Sequence, residues 1–215
     1  MRKRLVLIGG GGHGKSVLDV IRAEDRYDVV GILDVSSRRG DSVMGVPIIG
    51  TDDDIPRLAK EVGRFVIGVG HLGNAEGRMA LWEQVQAMAA ELPTIVSPIA
   101  YLSPDALLGP GTVVFHRAVV NAMVRVGRNC VLNTGSIVEH DAVLGDNVHV
   151  STQAVVNGAC KIKDGSFLGS GSVINQGMTV GPRTIIASGA VVCQSAEGDG
   201  MYAGVPAKLK KKGNR

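Results

Sequence analysis

Aromatic side chains are scarce: three Phe, three Tyr and one Trp in 215 residues. A core that fills wide layers with rings is thereby excluded, and the interior must be narrow and aliphatic. Cysteine is nearly missing too. Three residues offer neither a metal-ligand spacing nor the even count of a disulfide framework, so a stapled or zinc-held fold is excluded. No apolar run approaches the roughly 20 residues that cross a bilayer. Charge of one sign is also lacking: 23 basic residues against 20 acidic ones leave a net +3, too balanced to argue for nucleic acid. Met1-Arg2-Lys3-Arg4 followed by Leu5 to Ile8 has the outline of a signal peptide, but its apolar part is short and runs into glycines, so a cytoplasmic protein is expected.

What is abundant is a period of six. Stepping from Leu102 through Leu108, Val114 and Val120 to Val192, each sixth residue is aliphatic without exception. Four places after each comes a second register, mostly small, which includes Cys130, Ser136, Ala142, Ala154 and Cys160. Six is neither a helical nor a simple strand period, but three sixes close a triangular coil with one short strand per face. Coils of that kind stack at about the 4.8 Å spacing of paired strands. The aliphatic register then fills the prism and the small register lies near the corners. Gly109, Gly127, Gly145, Gly169 and Gly181, each just after an aliphatic, are expected to supply the corner conformations.

The first 98 residues read differently. Leu5 to Ile8 is a buried-strand run ending in Gly9-Gly10-Gly11-Gly12-His13-Gly14, with helical spacing from Ser16 onward. Further strands are predicted at Val29 to Leu33, Phe65 to Val69 and Thr94 to Val96, and helices at Asp52 to Glu61, capped by Thr51, and at Ala75 to Glu91. The alternation implies a small parallel sheet, giving an α/β Rossmann-like domain over 1–98 and an all-β coil domain over 99–215. Gly9, Gly11 and Gly14 satisfy G-x-G-x-x-G, and Asp34 follows the second strand. Glycines admit a phosphate close to the backbone, a helix N-terminus offers unpaired N–H groups, and an acidic residue reaches a ribose or base. An NAD-linked oxidoreductase is therefore a rival reading, although this length holds only one mononucleotide half.

The hexapeptide pattern resembles that of the left-handed parallel β-helix acyltransferases. With the glycine turn in front, nearly the whole chain is similar to the bacterial enzymes that N-acetylate nucleotide-linked 4-amino sugars of the bacillosamine and perosamine type, together with the sialic-acid O-acetyltransferases. That resemblance implies a homotrimer with active sites between subunits and acetyl-coenzyme A as co-substrate, with no metal. It also implies a nucleotide sugar held by Gly11, Gly12, His13, Asp34, Val35 and Gly70.

Acetyl transfer from a thioester to an amine needs a base, and imidazole serves near neutral pH. His140 is that candidate, and the Asp141 carboxylate beside it would stabilise the imidazolium; the family pattern of His followed by Glu or Asp is matched. His140 has the parity of inward Val138, so an outward ring requires that parity to fail at a corner. Gly158 is eighteen residues on, hence one coil away, where its N–H can meet the developing oxyanion. By resemblance, His149, Ser170 and Ser188 lie at acetyl-coenzyme A, and Gly204 to Lys208 matches a terminal motif in which Lys208 meets the coenzyme's phosphates. The basic excess there also includes Lys210, Lys211, Lys212 and Arg215. Direct attack by a sugar amine on the thioester is the expected reaction; sialic-acid O-acetylation is the alternative, and a nucleotide-binding structural solenoid a third reading.

Overall fold

The computed structural model describes residues 1–212, which leaves Arg215 outside the described residues. The chain divides into two units, one of Met1–Gly70 with Glu76–Pro98 and one of His71–Ala75 with Ile99–Arg215. Among the described residues, no helix is long and apolar enough to cross a membrane.

In the first unit, β1 (Lys3–Ile8), β2 (Tyr27–Leu33), β3 (Ser42–Val43), β4 (Val46–Gly50) and β5 (Phe65–Ile67) form a sheet in the order β3-β4-β2-β1-β5. All its pairings are parallel except the β3–β4 hairpin. Leu5 to Ile8 and Phe65 to Ile67 are at most 1% exposed, as strands covered on both faces must be. Helix α1 (Gly12–Glu24) begins inside the glycine run, four residues before the apolar spacing signals it, because glycines carry no periodic information. Thr51 closes a capping box with Asp54, which leads through a 3-10 turn at Asp52–Asp54 into α2 (Ile55–Glu61). Helix α3 (Glu76–Ala87) buries Arg78, whose guanidinium donates to the carbonyls of Ile67 (2.7 Å) and Val69 (2.9 Å) and so fixes the loop after β5.

The second unit is a parallel β-helix. Two-residue strands recur every six residues from Tyr101–Leu102 to Val191–Val192, and each pairs with the strand eighteen residues away. The second residue of each strand points inward; from Val114 to Val192 this aliphatic register is at most 5% exposed. Gly200–Ala203 and Lys208–Lys212 extend one sheet, the latter antiparallel.

The corners differ from expectation. The left-handed conformation falls three residues after each inward aliphatic, at fourteen successive positions from Gly111 to Gly189. Eight of these are not glycine, among them Asn129, Asp141 and Asn147. The glycines one place after the aliphatic serve close approach instead: a Cβ on Gly109 would stand 2.5 Å from the Gly127 backbone, and one on Gly169 2.5 Å from the Ser188 nitrogen. At these two positions the coils stack backbone on backbone, and a side chain there would push them apart.

The three faces of the prism carry different outward residues. One presents Leu107, Arg125, Val143, Lys161 and Thr179, four of them exposed. Another presents Val113, Val131, His149, Phe167 and Ile185, and the segment His71–Ala75 lies on part of it: His71 stacks edge-on against His149 and Phe167, and Gly73 sits against Ile185. The third presents Tyr101, Val119, Ile137, Val155, Val173 and Val191, an apolar stripe that is half-buried or exposed over its whole length. This stripe was readable at a period of eighteen and is hidden at a period of six.

Candidate active site

Two constellations emerge, one in each unit. In the first, Gly9 has φ +94° and its carbonyl would lie 2.0 Å from a Cβ on Gly14, so helix and strand meet here only because both are glycine. Gly11 caps α1 with extended backbone and no side-chain partner, and a Cβ at Gly11 or Gly12 would meet nothing within 4 Å. The start of a thirteen-residue helix is thus open to an anion. The His13 ring packs against Gly70, where a Cβ would stand 3.1 Å from it.

Beside the turn lies a cleft of about 490 Å³ at the carboxyl ends of the parallel strands, lined by Ile8, Leu33, Val35 and Val69 and by the polar residues Asp34, Ser36 and Thr51 to Asp53. Asp34 is held firmly. Its carboxylate accepts from the Gly10 N–H (3.0 Å), the Val35 N–H (2.8 Å) and the Arg38 guanidinium (2.5 Å). Asp34 therefore ties the glycine turn to the end of β2. Asp52 and Asp53 carry no part of the G-x-G-x-x-G pattern; only the packing order of β4 beside β2 brings them here.

In the second unit His140 stands at a corner, with its side chain 54% exposed. The left-handed backbone of Asp141 (φ 61°) turns the chain there, so the strand parity that would send the ring inward ends before it. His140 Nδ1 lies 2.9 Å from Asp141 Oδ2. A Cβ on Gly158 would stand 2.6 Å from both Cε1 and Nε2 of the ring, so the imidazole rests directly on a residue without a side chain. The carbonyl of Gly158 accepts from Gly177, whereas its buried N–H has no protein acceptor among the described residues. A carboxylate on one ring nitrogen holds the Nδ1–H tautomer, leaving the Nε2 lone pair beside a free backbone donor. That arrangement can take a proton and receive a negative oxygen together.

The other sequence candidates lie elsewhere in the coil. His149 is 4% exposed, with its ring centroid 5.2 Å from those of His71 and Phe167 and its Nε2 3.5 Å from Asn133 Nδ2. Sequence reasoning missed His71, which no periodicity ties to the coil. Ser170 and Ser188 continue a column of hydroxyls at one corner, after Thr134 and Thr152, and Ser170 Oγ lies 3.1 Å from Ser151 Oγ. His140 and this column border opposite edges of the apolar-striped face. Lys208 is exposed at the start of the last strand.

Comparison with known proteins agrees with both halves. The PglD N-terminal domain family matches residues 4–85. A curated UDP-N-acetylbacillosamine N-acetyltransferase of Bacillus subtilis (strain 168) is 30% identical over 116 residues, which is 52% of this chain and 51% of that protein, so the match spans about half the length of that relative. Among solved structures, a histidine-to-asparagine variant of perosamine N-acetyltransferase from Caulobacter crescentus, in complex with CoA and GDP-perosamine, superposes with TM-score 0.90 at 31% identity over 97% of each chain. The acetyltransferase domain of PglB from Neisseria gonorrhoeae FA1090 gives TM-score 0.91 at 34% identity over 97% of this chain and 100% of that one, and a related structure contains acetyl coenzyme A. The chain belongs to this family of nucleotide-sugar N-acetyltransferases, an α/β domain followed by a left-handed β-helix of hexapeptide repeats.

Proposed function

We propose that this chain transfers the acetyl group of acetyl-coenzyme A to the amine of a nucleotide-linked 4-amino-4,6-dideoxy sugar, with His140 as general base. The observation that carries the reading is the triple formed by Asp141, His140 and Gly158. The sugar nitrogen attacks the thioester carbon while Nε2 of His140 takes its proton, and the carbonyl oxygen gains negative charge as the tetrahedral centre forms. The Gly158 N–H donates to that oxygen, and Asp141 stabilises the imidazolium. Collapse breaks the carbon–sulfur bond, and the proton held by His140 passes to the departing thiolate. The products are the N-acetyl sugar nucleotide and free coenzyme A.

In the first unit, Gly11 and Gly12 at the start of α1 receive the diphosphate, His13 with Gly70 stands next to the sugar, and Asp34 and Val35 border the ribose and base. The acetyl donor runs along the coils, met by His149, Ser170, Ser188 and Lys208, and His149 acts from its aromatic cluster as a wall rather than as a free ligand. The site is completed between copies in a homotrimer. The apolar stripe from Tyr101 to Val191 supports this, since it separates the His140 edge from the serine edge and gives a second copy a surface to cover. Three free thiols fit the reducing cytoplasm.

The test follows thiol release from acetyl-coenzyme A with nucleotide-linked 4-amino sugars as acceptors and free sialic acid as the comparison. His140→Ala is expected to lower kcat by about 10²- to 10⁴-fold, the usual worth of a positioned base. Wild-type turnover by that variant with both substrates saturating removes His140 as the base, and preference for free sialic acid overturns the acceptor assignment.

A further inference from the structure

We infer that the cleft of the first unit selects guanine over uracil, with Asp52 accepting hydrogen bonds from two neighbouring donors on the base. This rests on the nucleotide-sugar reading above and decides which nucleoside that substrate carries. The cleft has two ends of different chemistry. At one stands Gly9 of the glycine turn, beyond which the uncapped start of α1 offers N–H groups to an anion. At the other stand Asp52 and Asp53, whose carboxylates repel a phosphate, while Asp34 is bonded to the glycine turn itself. A nucleoside diphosphate therefore lies with its phosphates at Gly11 and Gly12 and its base toward Asp52 and Asp53. Ile8, Leu33 and Val69 give an apolar lining, and the Val35 side chain, 60% exposed, offers a flat of its own to a ring face.

The three carboxylates are not equivalent. Asp34 is fully occupied by two backbone N–H groups and Arg38. Asp53 accepts a long bond from the Thr51 hydroxyl, 3.4 Å away. Asp52 has no side-chain partner among the described residues; its backbone carbonyl accepts from Gln84 and from the Ile55 N–H. Asp52 is exposed, yet desolvation by the cleft walls, with the Asp53 and Asp34 charges close by, raises its carboxyl from its ordinary value. A carboxylate in that position is stabilised by a ligand that brings N–H donors and is destabilised by one that brings lone pairs. Guanine presents N1–H and the N2 amino group side by side, a bidentate match for one carboxylate. Uracil presents one N–H flanked by two carbonyl oxygens. Cytosine and adenine present one amino group next to a bare ring nitrogen. Among the four bases, guanine alone satisfies both oxygens without placing an acceptor against them.

Calorimetric titration of the full chain with GDP, IDP and UDP tests this, alongside acetyl transfer with the matching amino-sugar nucleotides. IDP keeps N1–H and lacks the N2 amino group. GDP is expected to bind roughly tenfold to a hundredfold tighter than UDP, and IDP roughly tenfold weaker than GDP, the range for losing one charge-assisted hydrogen bond. Asp52→Asn is expected to remove most of the GDP preference, because the amide presents only one acceptor to guanine and no longer sets a carboxylate against the carbonyls of uracil; Asp53→Asn is expected to keep the preference. Equal or tighter binding of UDP, or GDP and IDP binding alike, overturns the guanine assignment while acetyl transfer to another nucleotide sugar still stands. Absence of binding by any nucleoside diphosphate, with no thiol release, sinks the underlying reading as well.

Discussion

The two units gather their candidate residues by different routes. In the α/β unit, Gly10, Asp34 and Asp52 come together because β1, β2 and β4 lie side by side and end at one edge. In the coils, His140 and Gly158 meet because eighteen residues return the chain to the same corner. One arrangement depends on the order in which strands pack, the other on counting. The difference shows in tolerance as well, because a repeat dictates what each column accepts, whereas each strand end in the sheet is unique.

The sharpest break of the coil's arithmetic is a charge inside the prism. Val156 is fully buried in a narrow, mainly aliphatic core. Val156→Asp is expected to cost several kcal/mol, enough to prevent folding of the second unit, since a buried carboxylate without a partner carries a large desolvation penalty. Loss of soluble protein or a collapsed thermal transition checks it; a Tm near wild type contradicts the inward register.

Glycines separate the two units next. Gly14→Ala places a Cβ against the Gly9 carbonyl, backbone on backbone, and is expected to destabilise the first unit by about 1–3 kcal/mol, the range for forced overpacking. Gly135→Ala in a coil has the left-handed φ of 66°, yet the equivalent corner position is filled elsewhere by Arg117, Asp141 and Ala159. Its cost should stay near 1 kcal/mol. Paired melting curves decide, and equal losses would dissolve the distinction.

Gly158→Ala acts on chemistry more than on stability. The added Cβ meets the His140 ring, which is exposed and free to swing away. A fall in kcat of about ten- to a hundredfold is expected, with Tm within about 1 °C, because the change displaces the base and spares the core. An unaltered kcat would show that the ring's seat on Gly158 is irrelevant to transfer.

The coil was legible because its physics is local. An inward aliphatic every six residues specifies strand, corner and neighbour together, so the proximity of Gly158 to His140 could be counted. The assignment of turn conformations to Gly109, Gly127 and Gly145 failed because glycine has two uses, and the sequence does not say whether a position needs unusual φ or the absence of a Cβ. In the first unit, the glycine turn announced itself by composition, but Asp52 and Asp53 did not. Their place depends on β4 pairing with β2, a long-range choice that no short pattern encodes. His71 escaped for the same reason, since it reaches the coil from a segment outside the repeat.

The smallest effect is the one that tells the faces of the prism apart. Val143 and Val155 both point outward from two-residue strands, and they occupy different columns. Val143 lies directly between Arg125 and Lys161 on an exposed face, so Val143→Lys stacks a third cation there and should cost no more than about 1 kcal/mol. Val155 sits in the middle of the stripe from Tyr101 to Val191. Val155→Lys should leave the single chain about as stable, because the side chain can reach water, but it places a charge where a second copy would have to bury it. Sedimentation velocity then distinguishes the two substitutions: Val143→Lys keeps the wild-type species, and Val155→Lys yields monomer. If both variants sediment like the wild type, the stripe is not the surface through which copies meet, and the edge carrying His140 must be completed in another way.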